Sequence, residues 1–347
     1  MILHLLWSGG TGGIEKLCLN IGKYDKDNNL FLFVHSKGTI YQQMSELGIN
    51  TKCLNLKSKD IFDIYRAVLK KLKEKNIEAL IVHHDSIPLW VTAYLLKKRT
   101  DVKTYIYAHS EYNYFIKNNL QRIIFKKACQ VSDGILAISD YVKTSVVNKM
   151  PEVKNKINVI YNGIEIGNIE KRNKKFEKKI VYVGRLINDK GIENILKAVK
   201  EIDCSFDIIG DGILKEELKL LIDQYKLNNR VRLLGNRNDV NKLLCNYDVF
   251  VHVPTLEEGF GLTVVEAMAA GLSVIVSDSG ALVELVDDCV NGHVVKKGDI
   301  FSLKEILTKI LNNYETDEEI SIRKNGIVTA NRYTIKNYIN NLYEIIR

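Results

Sequence analysis

Short, uninterrupted apolar runs recur along this chain, with stretches of helical spacing between them. Residues 2–7, 30–35, 79–83, 103–108 and 134–138 are too short for helices and too uniformly apolar for half-exposed strands. They read as strands covered on both faces. Residues 15–24 and 61–75 supply helices between them. A second series starts at Ile180, continues through the strand-to-loop units 206–212 and 231–237, and reaches an apolar run at 249–253. Such alternation predicts two α/β domains with mainly parallel sheets, each binding ligands at the carboxyl ends of its strands. Residues 166–179 are polar with clustered lysines and read as the linker, which divides the chain into 1–165, 166–332 and a last amphipathic segment at 333–347.

The most informative stretch is 254–271. Pro254 closes the strand before it, because proline cannot donate to a ladder. Gly259 and Gly261 form a tight loop, and a helix follows from Leu262. The free amides at a helix start favour an anion, most simply a phosphate. Glu258 lies in the loop and Glu266 about one turn into the helix, so two acceptor-only carboxylates flank the anion. A ligand carrying both phosphate and hydroxyls, such as a nucleotide sugar, suits that pattern. Gly184-Arg185, followed by Lys190-Gly191, puts two cations five residues apart after a strand, a spacing that can grip a pyrophosphate. The first loop, 8–13, is glycine-rich, but a dinucleotide fingerprint would need a third glycine where Glu15 stands and an acid where the next strand ends in His35.

The pair Glu258 and Glu266, with Gly-Phe-Gly between them and Ala-Met-Ala-Ala-Gly after, resembles the donor-site signature of retaining family 4 (group 1) glycosyltransferases of the GT-B fold. The likeness covers nearly the whole chain and is strongest over 184–292. It implies two facing Rossmann-like domains with a cleft between them, the first binding the acceptor and the second the donor, and a final helix returning to the first domain. It places Glu258 on sugar hydroxyls, Glu266 on the ribose, and Gly259, Phe260, Gly261, Leu262 and Thr263 near the sugar and phosphates. Arg185 and Lys190, beside Gly184, would stabilise the leaving diphosphate. Loops at Gly210 and at Asn236 and Arg237 would hold the base, Gly12 and Gly13 would lie near the diphosphate, and His109 near the donor sugar. His84 and Asp85 are expected on the acceptor side. No Asp-x-Asp motif occupies a donor-site position, so the resemblance implies metal-independent hexosyl transfer with no cofactor beyond the nucleotide-sugar co-substrate.

Charge adds one expectation. Residues 1–165 hold 24 Lys/Arg against 15 Asp/Glu, and the remaining residues 26 against 27, so the net charge of +8 sits in the first domain. Residues 115–128 place Phe115, Ile116, Leu120, Ile123 and Ile124 on one helical face among Lys117, Arg122, Lys126 and Lys127. That pattern suits an anionic membrane surface, and slightly better an ordinary packed helix in a lysine-rich protein. No nucleic-acid motif is present. The six cysteines are scattered without a C-x-x-C pair, no apolar run is long enough to span a membrane, and residues 1–7 lack the marks of a signal peptide. A cytoplasmic enzyme on the inner membrane face is expected. It would act on a saccharide or lipid-linked saccharide in capsule, exopolysaccharide or lipopolysaccharide assembly, with a UDP-sugar the favoured donor. The competing readings are a nucleotide-sugar epimerase of the same fold, a non-catalytic partner of another transferase and, least well matched, a glycosidase.

Overall fold

A strand buried on both faces can be apolar at nearly every position, and β1 (Ile2–Ser8), whose polar residues are His4 and Ser8, runs through the centre of the first sheet in that way. Leu3, Leu5 and Leu6 are wholly buried, and Leu5 lies opposite Leu32 on one side and Val82 on the other. In this computed structural model, which describes residues 1–169, 173 and 175–346, the chain divides into two units. Unit 1 comprises Met1–Gly163 and Ile335–Arg347, and unit 2 comprises Ile164–Thr334. Part of the linker read at 166–179 (residues 170–172 and 174) and Arg347 at the end of the last segment lie outside the described residues.

Unit 1 adds β2 (Asn29–Ser36), β3 (Thr51–Cys53), β4 (Ala79–Val82), β5 (Lys103–Ala108), β6 (Gly134–Ala137) and β7 (Ile157–Val159), paired in parallel in the order β3-β2-β1-β4-β5-β6-β7. Unit 2 repeats the plan with β8 (Lys179–Val183), β9 (Ser205–Ile209), β10 (Val231–Gly235), β11 (Val249–His252), β12 (Ser273–Ser277) and β13 (His293–Val295), ordered β10-β9-β8-β11-β12-β13. In both sheets the strand order reverses once, between β1 and β4 and between β8 and β11. Successive crossovers leave toward opposite faces at that point, which opens a crevice at the carboxyl ends of the two strands. The two domains are thus Rossmann-like, as the alternation of apolar runs predicts.

The last helix, Ile335–Ile346, belongs to unit 1. Its buried face is Ile335, Tyr338, Ile339, Leu342 and Ile346, and Tyr343 donates to Asp25 Oδ2 at 2.6 Å. Among the described residues no helix is long and apolar enough to cross a membrane.

The basic segment differs from its expected form. Instead of one helix over 115–128, there is a short helix Tyr112–Phe115 and then Asn119–Val131, because the Asn118 side chain caps the second helix by accepting from Gln121 N–H. The packed face also changes. Phe125, Ala128 and Cys129 are buried, with Phe125 held among Trp90, Phe115 and Tyr112, while Leu120 and Ile123 are 60% and 49% exposed. An apolar pattern with two possible inner faces was settled by the aromatic cluster.

Two substitutions check this account of the core. Leu5→Ala removes a side chain from the most enclosed strand and should lower the unfolding free energy by about 2–5 kcal/mol. Leu120→Ala should change it by less than about 0.5 kcal/mol, since Leu120 lies on the exposed face. Urea unfolding followed by circular dichroism measures both.

Candidate functional site

In unit 2 the crevice between β8 and β11 gathers the residues that the sequence singles out. Gly184 and Arg185 leave the end of β8, followed by the turn Asn188–Lys190. The loop after β11 meets that turn, and Thr255 N–H donates to the Asp189 carbonyl at 2.9 Å. Gly191 is required here. It has φ +68°, and a Cβ on it would lie 2.0 Å from the Val253 carbonyl oxygen. Pinned in this way, Lys190 Nζ reaches 2.5 Å from Glu258 Oε2.

The same oxygen of Glu258 lies 3.3 Å from His252 Nε2, at the end of β11. The Glu258 backbone is clasped from behind, its carbonyl accepting from Ala281 N–H at 2.9 Å, with Gly280 (φ +57°) packed so close that a Cβ would stand 2.3 Å from that carbonyl oxygen. Burial alone would push the Glu258 carboxyl up, but the hydrogen bond from His252 and the Lys190 ammonium outweigh it and hold the group well below the usual carboxylate range. Glu258 is therefore an anion at any working pH, fixed by two cations or donors. His252 was not singled out by the sequence. Its only signal there is a polar residue ending an otherwise apolar strand just before Pro254. The buried Nδ1 of His252 makes no hydrogen bond to the described residues.

Around this pair the strand ends form a row. Gly184 N–H donates to the Ile209 carbonyl at 3.0 Å, Gly210 N–H donates to the Gly235 carbonyl at 2.9 Å, and the Arg185 carbonyl accepts from Tyr182 Oη at 3.0 Å. The loops after β8, β9 and β10 thus share one edge. Asn236 and Arg237 follow β10 and are exposed, with the Arg237 guanidinium bound to its neighbour Asp239 at 2.9 and 2.7 Å. On the other side Gly261 opens the helix Leu262–Ala270, where Leu262 and Thr263 are half-buried at the start and Glu266 is buried one turn in. The Phe260 ring is buried edge-on against Tyr333, with centroids 5.6 Å apart, so the side chain belongs to the core of the unit.

Gly12, Gly13, His84, Asp85 and His109 lie in unit 1, at the reversal between β1 and β4 and at the end of β5. Gly12 caps the helix Gly13–Tyr24, and Glu15 in its first turn folds its carboxylate back over Gly12. His84 Nδ1 accepts from Trp7 N–H at 3.1 Å, which leaves Nε2 to donate to Glu15 Oε1 at 3.3 Å. The residue that breaks the dinucleotide fingerprint thus ties the first glycine loop to the end of β4. Burial pushes the half-buried Asp85 carboxyl up to about 8. Burial, helped by nearby His84, holds the His109 imidazole down to about 3, so it is neutral. The spacing of His83, His84 and Asp85 shows no third metal ligand, yet the fold brings His4 and Cys18 to His83, with ligand atoms within 4.8 Å of one another. His4 Nδ1 and His83 Nε2 are 2.8 Å apart, the separation of a hydrogen bond.

Comparison with known proteins bears on the family and the fold. The family model "Glycosyltransferase Family 4" matches residues 11–167, and "Glycosyl transferases group 1" matches 166–326. An uncharacterized glycosyltransferase of Methanocaldococcus jannaschii is 32% identical over 268 residues, covering 74% of this chain and 71% of the relative. The capsular polysaccharide biosynthesis glycosyltransferase CapM of Staphylococcus aureus is 28% identical over 229 residues, covering 60% of this chain and 59% of CapM. The crystal structure of Anabaena HepE in complex with UDP and glucose superposes with a TM-score of 0.87 at 20% identity, covering 99% of this chain and 98% of HepE. With its Rossmann-like pair of sheets of GT-B type and these matches from end to end, the chain belongs to the group 1, family 4 glycosyltransferases.

Proposed function

We propose that this glycosyltransferase moves a hexosyl group from a nucleoside-diphosphate sugar, with UDP-sugars favoured, to a saccharide or lipid-linked saccharide, and that it does so with retention at the anomeric carbon. The observation that carries the reading is the Lys190–Glu258–His252 group at the β8/β11 reversal, with Arg185 beside it. Transfer requires charge to build on the departing diphosphate, and cations held in place before the reaction stabilise that charge without reorganising. Arg185, Lys190 and the amides at the start of the helix Leu262–Ala270 fill this role. Their charge is what makes the reaction independent of a metal ion. Glu258, kept anionic, accepts hydrogen bonds from sugar hydroxyls, and buried Glu266 accepts from the ribose. The leaving phosphate takes the acceptor proton on the face it departs from, so Glu258 is not cast as a nucleophile. The UDP bound to HepE supports the choice of base, and the part CapM takes in capsular polysaccharide biosynthesis supports capsule-type polysaccharide assembly.

The acceptor side of the reading rests on unit 1. Exposed Leu120 and Ile123 share the helix Asn119–Val131 with Arg122, Lys126 and Lys127, and exposed Tyr114 precedes it with Lys117 over its ring. Apolar side chains set among cations suit the anionic inner face of a membrane, where a lipid-linked acceptor is found.

Three outcomes are expected. Glu258→Gln should lower the rate of UDP release by about 10²-fold while leaving donor affinity within a few-fold, and Glu266→Ala should chiefly raise the donor KM. Steady-state kinetics with UDP-sugars separate the two effects, and wild-type turnover in both variants would contradict the assignment. NMR of the product should show the anomeric configuration of the donor, and an inverted product would overturn the retaining reading. Vesicles containing anionic lipid should sediment the protein, neutral vesicles should not, and a Leu120→Ser, Ile123→Ser double variant should stay in solution. Equal sedimentation with both vesicle types would remove the membrane reading.

A further inference from the structure

Unit 1 contains a line of hydrogen-bonded side chains that crosses its sheet through adjacent strands, from Asn29 at the start of β2, through His4 on β1 and His83 at the end of β4, to His109 at the end of β5. Hydrogens are not seen directly, but the network leaves one way to place them. Asn29 Nδ2 donates to the Asp25 carbonyl at 2.9 Å and to Tyr343 Oη at 3.1 Å, and the Tyr343 hydroxyl gives its own proton to Asp25 Oδ2. That fixes the amide, so Asn29 Oδ1 faces His4 Nε2 at 2.8 Å as an acceptor. His4 must then carry its proton on Nε2 and accept on Nδ1. His83 Nε2, 2.8 Å away, donates to it, which leaves His83 Nδ1 bare. His109 Nε2, at 3.2 Å, donates in turn. The sequence of donors ends with a lone pair on His109 Nδ1.

The line carries three protons for three imidazoles, and burial keeps all three rings neutral: His4 is held down to about 4, His109 to about 3, and His83 well below the usual imidazole range. The rings cannot easily turn over. His4 stacks on Phe31 with centroids 4.7 Å apart, and His109 lies 4.1 Å from the Tyr107 ring. Cys18 Sγ, 3.9 Å from His83 Nε2, adds only a weak second contact.

We propose that Asn29, His4 and His83 are positioning residues that hold His109 as its Nε2–H tautomer, so that Nδ1 meets the substrate as a hydrogen-bond acceptor for a sugar hydroxyl. The inference rests on the reading of His109 as a substrate-facing residue. With the opposite tautomer the same nitrogen would be a donor, and a hydroxyl held there by its own proton would lose its partner. The polarity of that contact is therefore decided by an asparagine three strands away in the sheet.

The test is long-range proton–nitrogen NMR on the full-length protein carrying ¹⁵N-labelled histidine, which reports the tautomer of each ring without any need for activity. His4, His83 and His109 are expected to be neutral with the proton on Nε2. His4→Phe removes the acceptor for His83, and should turn His109 into a mixture of tautomers and lower kcat about tenfold with UDP affinity unchanged. His4→Asn, whose Oδ1 can stand where Nδ1 stood, should restore both. A proton on His109 Nδ1 in the wild-type protein would overturn the proposal even if no variant folds. So would a His4→Phe protein with an unchanged His109 tautomer and unchanged kcat. Wild-type turnover in His109→Ala would instead remove the substrate-facing role while leaving the measured tautomers standing, so the two failures are distinguishable.

Discussion

A carboxylate withdrawn from water has to be met by charge or by hydrogen bonds, or it stops being a carboxylate. In unit 2 that requirement falls on Glu258, and its answer organises the surrounding loops. Lys190 comes from the turn that follows β8 and His252 from the end of β11, two strands far apart in sequence and adjacent in the sheet. The reversal of strand order is what makes them neighbours. Gly191 and Gly280 then allow two backbone segments to approach more closely than a side chain would permit, one bringing Lys190 forward and one holding the Glu258 backbone. The ion pair is thus a consequence of topology and of two backbone contacts, and the proposed donor chemistry follows from it. In that proposed chemistry Lys190 would divide its charge between an entering diphosphate and Glu258, leaving Glu258 oriented for sugar hydroxyls.

Unit 1 solves a different problem with the same plan. Its reversal, between β1 and β4, joins Trp7, His84 and Glu15, and the line from Asn29 to His109 runs across four neighbouring strands. Along that line the buried imidazoles are neutral, and hydrogen-bond direction takes the place of charge. Each unit therefore presents one polar group in a defined state at its strand ends: an anion in unit 2, an oriented imidazole in unit 1.

Much of this was legible in the sequence. Strands covered on both faces are uninterrupted apolar runs, so β1, β2, β4, β5 and β6 were found to within a residue or two. The edge strands Thr51–Cys53 and Ile157–Val159 are three residues each and partly exposed, and they leave no such trace. Glu258, Glu266, Arg185 and Lys190 stand out because their spacing around glycines has a physical meaning within a single strand–loop–helix unit. His252, Asn29, His4 and His83 do not, because their partners are 25 to 79 residues apart, apart from Glu258 six residues from His252, and His109 stands out only through the family resemblance. Which face of the basic helix packs inward was left open by the sequence for a related reason. The choice between Phe125 and Leu120 is made by Trp90 on another helix, which no local periodicity records.

The central claim is that the strand ends of unit 2 grip a nucleoside diphosphate through Arg185 and Lys190. Calorimetric titration of the purified protein with UDP, GDP, TDP and ADP tests it most directly, repeated on Arg185→Ala and Lys190→Ala. The account predicts that one nucleotide, UDP, binds well above the others and that each substitution weakens it about tenfold or more. UDP binding of unchanged strength in both variants, or no binding of any of the four to the wild-type protein, would contradict it.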